Sequence, residues 1–131
     1  MQFVNSTRDT ALATAGWQAG NPWTRMVGLL GRAGLAPGEG LHISPCKSIH
    51  TLFMRFPIDV LYLDRARRVV KAVPAMRPWR YSWGSRGSYS VLELPAGTIE
   101  ATGTAAGDQI TLGETRDQVP SDAGEAGEAE G

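Results

Sequence analysis

A single cysteine stands in the 131 residues, so Cys46 has no partner for a disulfide within the chain. No apolar run approaches the roughly 18 residues a membrane-crossing helix needs. No N-terminal stretch combines a basic start, an apolar centre and a small-residue cleavage site. A reducing, cytoplasmic location with no membrane association is therefore the expectation. Also missing are a Gly-rich phosphate loop, a nucleophile elbow, a dinucleotide fingerprint and any internal repeat, which weakens the motif-bearing enzyme classes. What the chain does contain is ordinary for one globular domain: 42% hydrophobic and 20% charged residues. With 16 glycines and 8 prolines it should be a turn-rich fold of short elements.

A formal charge of zero conceals an asymmetry. From Glu114 onward there are six acids and one base, a net of −5, so the rest of the chain carries +5. The segment 114–131 is built of Gly, Ala, Glu, Asp, Ser and Pro with almost no large apolar side chains. It cannot offset its own ordering entropy and is expected to be a disordered acidic tail. One β-rich domain over residues 1–113 remains.

Within that body Phe3–Asn5 and Thr10–Ala15 read as a hairpin. Asn21-Pro22 places an N-cap and a first-turn proline ahead of Trp23, Met26, Val27 and Leu30, whose spacing predicts one short helix near residues 22–31. Leu41-His42-Ile43 opens a strand after the Pro37–Gly40 turn. Val60–Leu63 is the strongest strand, apolar throughout and so expected to be buried on both faces. It should turn at Arg65–Arg67 and pair with Val69–Val73, while Ser90–Leu94 and Gln109–Leu112 supply later strands. An all-β sandwich or barrel with one appended helix accommodates this pattern.

Several blocks resemble a known family: Arg25–Arg32, the run Pro45–Asp64, Val91-Leu92-Glu93-Leu94-Pro95-Ala96-Gly97, and Gly107-Asp108. Their order and content are similar to the domain of unknown function 192 family. The resemblance spans nearly the whole body. It implies a compact sandwich or jelly-roll-like barrel with a short helix near its start, and it implies no established biochemical role. It singles out Arg25, Gly28-Leu29, Pro57, Asp59, Glu93, Gly97 and Gly107-Asp108. A larger branch of that family carries a Trp-Met-Lys-Asn-Thr run before its Pro-Leu-Asp. This chain instead has His50-Thr51-Leu52-Phe53-Met54 before Pro57-Ile58-Asp59, so no ligand role of that Lys and Asn transfers.

His42, Cys46 and His50 recur at intervals of four, a spacing that suits zinc on a helix. Pro45 argues against a helix, and on a strand such intervals span about 13 Å each, too far for one ion. No metal or cofactor is therefore expected. Cys46 with His50 could form a nucleophile and base, but a buried structural thiol fits better. Asp59 shares a strand face with Leu61 and Leu63 and should lie at the core rim. Glu93, if Leu92 and Leu94 fill the core, should point to solvent or to an opposing sheet. Arg25 and Arg55 are the candidate partners of these carboxylates. A structural ion-pair network competes with a small hydrolase-like enzyme that would use Asp59 or Glu93 as acid or base.

From Arg65 to Tyr89 there are seven bases and no acid, interleaved with Trp79, Tyr81, Trp83 and Tyr89. Guanidinium groups meet phosphate or carboxylate and aromatic faces stack on bases, which points to an anionic ligand, a protein partner or single-stranded nucleic acid. The competing reading is a solvated hairpin whose Trp residues cap the core beneath Arg side chains. The sequence thus favours a non-catalytic binding or interaction module, with Arg25, Asp59, Glu93, Arg77, Trp79, Arg80 and Trp83 as candidate binding residues.

Overall fold

The computed structural model describes residues 1–19, 35–51 and 54–113. The expected helix near residues 22–31 and the acidic segment 114–131 both lie outside the described residues. Within them the chain forms β1 (Gln2–Asn5), β2 (Thr10–Ala13), β3 (Ala15–Ala19), β4 (Glu39–Ile43) and β5 (Ser48–His50). There follow β6 (Ile58–Leu63), β7 (Val69–Met76), β8 (Tyr81–Trp83), β9 (Ser90–Pro95), α1 (Thr98–Thr102) and β10 (Ile110–Gly113). The strands make a five-stranded sheet ordered β3-β4-β9-β6-β7, a three-stranded sheet ordered β10-β1-β2, and a two-stranded ribbon of β5 and β8. This is the expected all-β, sandwich-like architecture, and among the described residues the sheets do not close into a barrel.

All six residues of β6 are buried, because the five-stranded sheet is covered on both faces. Ile58, Val60 and Tyr62 join Leu41, Ile43 and Val91 in one apolar layer, closed by Ile49 of the ribbon together with Met54 and Phe56. Leu61 and Leu63 join Leu92 and Leu94 in the other, closed by Phe3, Leu12, Ile110 and Ile99 of the three-stranded sheet and α1. The alternation of side chains along a strand sorts these residues, so neighbours in sequence serve different cores.

The first hairpin forms as expected between β1 and β2, but the chain then leaves that sheet at Thr14. The segment expected to finish the hairpin gives way to β3, which pairs in parallel with β4 in the other sheet. Gly16 sits opposite Gly40 in that pair. A Cβ on Gly16 would come within 2.5 Å of the Phe3 ring, and one on Gly40 within 3.0 Å. The two missing side chains thus make the seat into which Phe3 packs. The β6–β7 hairpin turns where expected, with Asp64 Oδ1 accepting from the amides of Ala66 and Arg68, both at 2.9 Å.

Helix α1 was not foreseen. Gly97, at φ +98°, reverses the chain after β9, and the left-handed conformation explains a glycine at that position. Ahead of β10 the buried Asp108 joins the hairpins. Its Oδ2 accepts from Asn5 Nδ2 at 2.9 Å, Arg8 Nε at 2.6 Å and the Ala105 amide at 3.0 Å. The hydrogen bond from Asn5, followed by those from Arg8 and Ala105, outweighs desolvation and holds its pKa down at about 2.

Because the folded-state value lies below the ordinary 3.8, the stability tied to ionised Asp108 is complete above about pH 4 and is lost as pH falls through about 2. Asp108→Ala should cost about 1–3 kcal/mol at neutral pH by removing an acceptor from buried donors. Urea unfolding of both proteins at pH 7, 4 and 2 should show that difference shrinking with acidity. A constant difference across the series would rule out this role.

Candidate binding surface

The β5–β8 ribbon lies over one face of the five-stranded sheet, with Ser48 paired to Trp83, Ile49 to Ser82 and His50 to Tyr81. Ile49 and Ser82 point inward. Tyr62 donates a hydrogen bond from its hydroxyl to Ser82 Oγ at 2.9 Å, which ties the ribbon to the central sheet. Burial pushes the Tyr62 phenol above its ordinary pKa, opposed by its hydrogen bond to Ser82. With Ser82 held inward, strand alternation sends Tyr81 and Trp83 outward.

Those rings are 64% and 67% exposed, and Trp79 just before them is 55% exposed. The Trp79 and Trp83 side chains therefore do not cap the core, which corrects the reading that the Trp residues of this segment do, and Tyr81 is exposed with them. His50 packs obliquely on Tyr81, ring centroids 5.9 Å apart. Lys71 Nζ donates to the Trp83 carbonyl at 2.7 Å, and Arg80 reaches the Trp79 carbonyl at 3.3 Å. Arg77 and Arg80 are both exposed in the segment that enters β8.

Thr51, fully buried, organises that segment. Its hydroxyl donates to the Arg77 carbonyl at 2.6 Å and accepts from the Arg80 amide at 2.9 Å. Its carbonyl accepts from the Trp79 amide at 2.9 Å, and its amide donates to the Arg80 carbonyl at 2.8 Å. Trp79 is held at φ +63°, a conformation uncommon for a residue with a Cβ. The sequence counts Lys71 among the seven bases but gives no role to Thr51 or Lys47; a lone Thr between His50 and Leu52 carries no motif.

The structure separates the other candidates. Asp59 is buried completely rather than at the core rim. Its Oδ1 accepts from the Ala75 amide at 2.8 Å and its Oδ2 from the Ile99 amide at 2.7 Å. It thus caps α1 from a neighbouring strand and holds the irregular end of β7, where Ala75 has φ +48°. Those partners are backbone amides; Arg55 is exposed. Glu93, expected to face solvent or an opposing sheet, is also fully buried, between Leu41 and Val60 in the register of the sheet. Asp59 pairs with Leu94, one residue along, so the two carboxylates project from opposite faces and form no acid–base pair. Arg25 lies outside the described residues.

Nor do the spaced histidines and Cys46 converge: among the described residues no group of three or more His, Cys, Asp or Glu is arranged for a metal ion. Cys46 is buried and donates to the Ser48 carbonyl at 3.0 Å. His42 is buried on β4 with Nδ1 3.2 Å from Gln18 Nε2, and burial, with the charge of Arg67, lowers its pKa to about 4.

The profile of the family DUF192, described as uncharacterised ACR, matches residues 4–112. The chain belongs to this family. A UPF0127 protein of Thermococcus sibiricus is 40% identical over 76 residues, 56% of this chain and 49% of that protein. Another from Pyrococcus furiosus is 38% identical over 63 residues, 48% of this chain and 53% of that protein. The DUF192 chain thus spans about half the length of the curated relatives it matches. A Novosphingobium aromaticivorans crystal structure of unknown function shares the fold with TM-score 0.72 and 18% identity, covering 85% of this chain and 82% of that one. A Sinorhizobium meliloti protein proposed as a transcription regulator shares it with TM-score 0.70 and 22% identity, covering 84% and 89%. Among the described residues no helix is long and apolar enough to cross a membrane.

Thr51→Val keeps the shape of this DUF192 side chain and removes its hydroxyl. It should lower stability by about 1–3 kcal/mol, since the Arg77 carbonyl and Arg80 amide lose their partner. Amide hydrogen exchange at Trp79 and Arg80 should accelerate more than in β6. Uniform protection in the two proteins would show that Thr51 does not hold the segment.

Proposed function

We propose that this DUF192 domain is a non-catalytic binding module whose ribbon surface takes single-stranded nucleic acid as its anionic partner. The observation that carries the reading is the exposure of Trp79, Tyr81 and Trp83 together, each more than half open to solvent. Three large aromatic rings on one short stretch are costly to leave in water and mark a contact surface. Tyr81 and Trp83, two residues apart on one strand face, are separated by about 6.7 Å. That is about twice the 3.4 Å rise per base in a duplex strand. The spacing suits bases splayed from a single strand better than bases stacked on one another. Arg77, Arg80 and Lys71 supply positive charge beside the rings, and no acid occurs between Arg65 and Tyr89. A reducing, cytoplasmic setting accords with the lone thiol of Cys46. The hydrolytic alternative is less favoured, because Asp59 and Glu93 are both closed to solvent.

Fluorescence anisotropy with a labelled 12-nucleotide single strand tests the proposal. Trp83→Ala and Tyr81→Ala should each weaken binding, by about 1–3 kcal/mol per stacked base. Replacing Arg77 and Arg80 by Gln should flatten the dependence of log affinity on log salt, by roughly 0.7 per lost phosphate contact. Binding that ignores the aromatic substitutions, or equal affinity for polyglutamate, would overturn the nucleic-acid reading in favour of another acidic partner.

A further inference from the structure

Beside the Trp83 end of the ribbon lies an open cleft of about 500 Å³, lined by Lys47, the turn residues Asp64, Arg65 and Ala66, and the loop Gly87-Ser88-Tyr89. Its volume is within the roughly 300–1,000 Å³ range of small-molecule sites. Three features connect it to the aromatic face. Lys47 directly precedes Ser48, the β-partner of Trp83. The Gly84 amide donates to the Lys47 carbonyl at 2.9 Å, so the chain leaving Trp83 is fastened to the cleft wall. Ser85 Oγ donates to the Val70 carbonyl at 3.0 Å, fixing the loop that then runs to Gly87.

The charge of the cleft is specific in amount. Lys47 and Arg65 contribute two positive charges and Asp64 one negative, leaving one net positive charge among the lining residues. The Arg65 guanidinium lies 4.2 Å from the centroid of the Tyr89 ring, which restrains it at the cleft instead of leaving it free in solvent. Asp64 is engaged within its own turn through Oδ1, and its remaining charge still disfavours a dianion. One net positive charge matches a phosphodiester, which carries a single negative charge, better than a phosphate monoester, which carries nearly two.

We infer that this cleft is a phosphodiester subsite, holding the backbone of a nucleic-acid strand where it passes beyond Trp83, with Lys47 and Arg65 as the phosphate ligands. The inference rests on the reading of the ribbon as a nucleic-acid surface and adds a second contact site to it. Tyr81 and Trp83 stack on bases while the cleft anchors the next stretch of backbone, so strand length and salt dependence become properties of two adjoining sites.

The test compares the full chain with its Lys47→Gln/Arg65→Gln variant on the same labelled 12-nucleotide strand across a salt series. The slope of log affinity against log salt should become shallower by about 0.7, for the one phosphate contact that the two side chains share. Trp83→Ala should weaken binding with the slope unchanged. In a second measurement on the unaltered protein, the dinucleotide TpT should shift the amide resonances of Gly87 and Ser88, whereas thymidine should not and inorganic phosphate should do so less. An unchanged slope in the double variant, or no response of those amides to TpT, overturns the cleft assignment while leaving the ribbon reading intact. Failure of the unaltered protein to bind the strand at all overturns both.

Discussion

The architecture depends on one strand being buried on both faces. Because β6 lies inside the five-stranded sheet, between β9 and β7, its alternation delivers Val60 and Tyr62 to one core and Asp59, Leu61 and Leu63 to the other. Each of its polar side chains then fastens a different covering layer. Tyr62 holds the ribbon through Ser82, and Asp59 holds α1 and the end of β7 through two backbone amides. A buried carboxylate is tolerable only when its hydrogen-bonding capacity is met, and two short amide contacts meet much of it.

That arrangement explains why the surface facing solvent over the ribbon is so aromatic. Ile49 and Ser82 are committed inward to the core and to Tyr62, and a pleated strand has no other freedom than to turn the neighbouring Tyr81 and Trp83 out. Thr51 then supplies side-chain and backbone partners to the preceding segment, so that Trp79 is presented on a braced loop. Rigid presentation matters for binding, since a surface already ordered loses less entropy on association than one that must order with its ligand.

The residues marked by the family resemblance and those that form the exposed aromatic surface are different sets. Asp59, Gly97 and Asp108 act within the fold: a cap supplied from a strand, a left-handed reversal and a latch between hairpins. Their roles are structural, and their chemistry would be misread as catalytic from type alone. The residues that meet solvent together, Trp79, Tyr81 and Trp83 with the bases around them, lie outside the blocks that carry the resemblance.

The sequence by itself determined what depends on local pattern. The continuous apolar run at Val60–Leu63, the polar turn at Arg65–Arg67 and the glycine and proline punctuation were enough to place β6, β7, β9 and β10 and to make the fold all-β. It also displayed the run of bases and aromatic rings after Arg65. Tertiary structure alone decided what depends on opposition across space. Whether Trp83 caps a core or faces water depends on which neighbouring residue is tethered inward, and Tyr62, twenty positions from Ser82, makes that choice. Glu93 is buried because the face it shares with Val91 is covered by the layer containing Ile49, Met54 and Phe56, and Asp59 is engaged because Ile99 and Ala75 arrive from distant elements. Periodicity can state which residues share a face, but only the packing of other elements determines whether that face is covered.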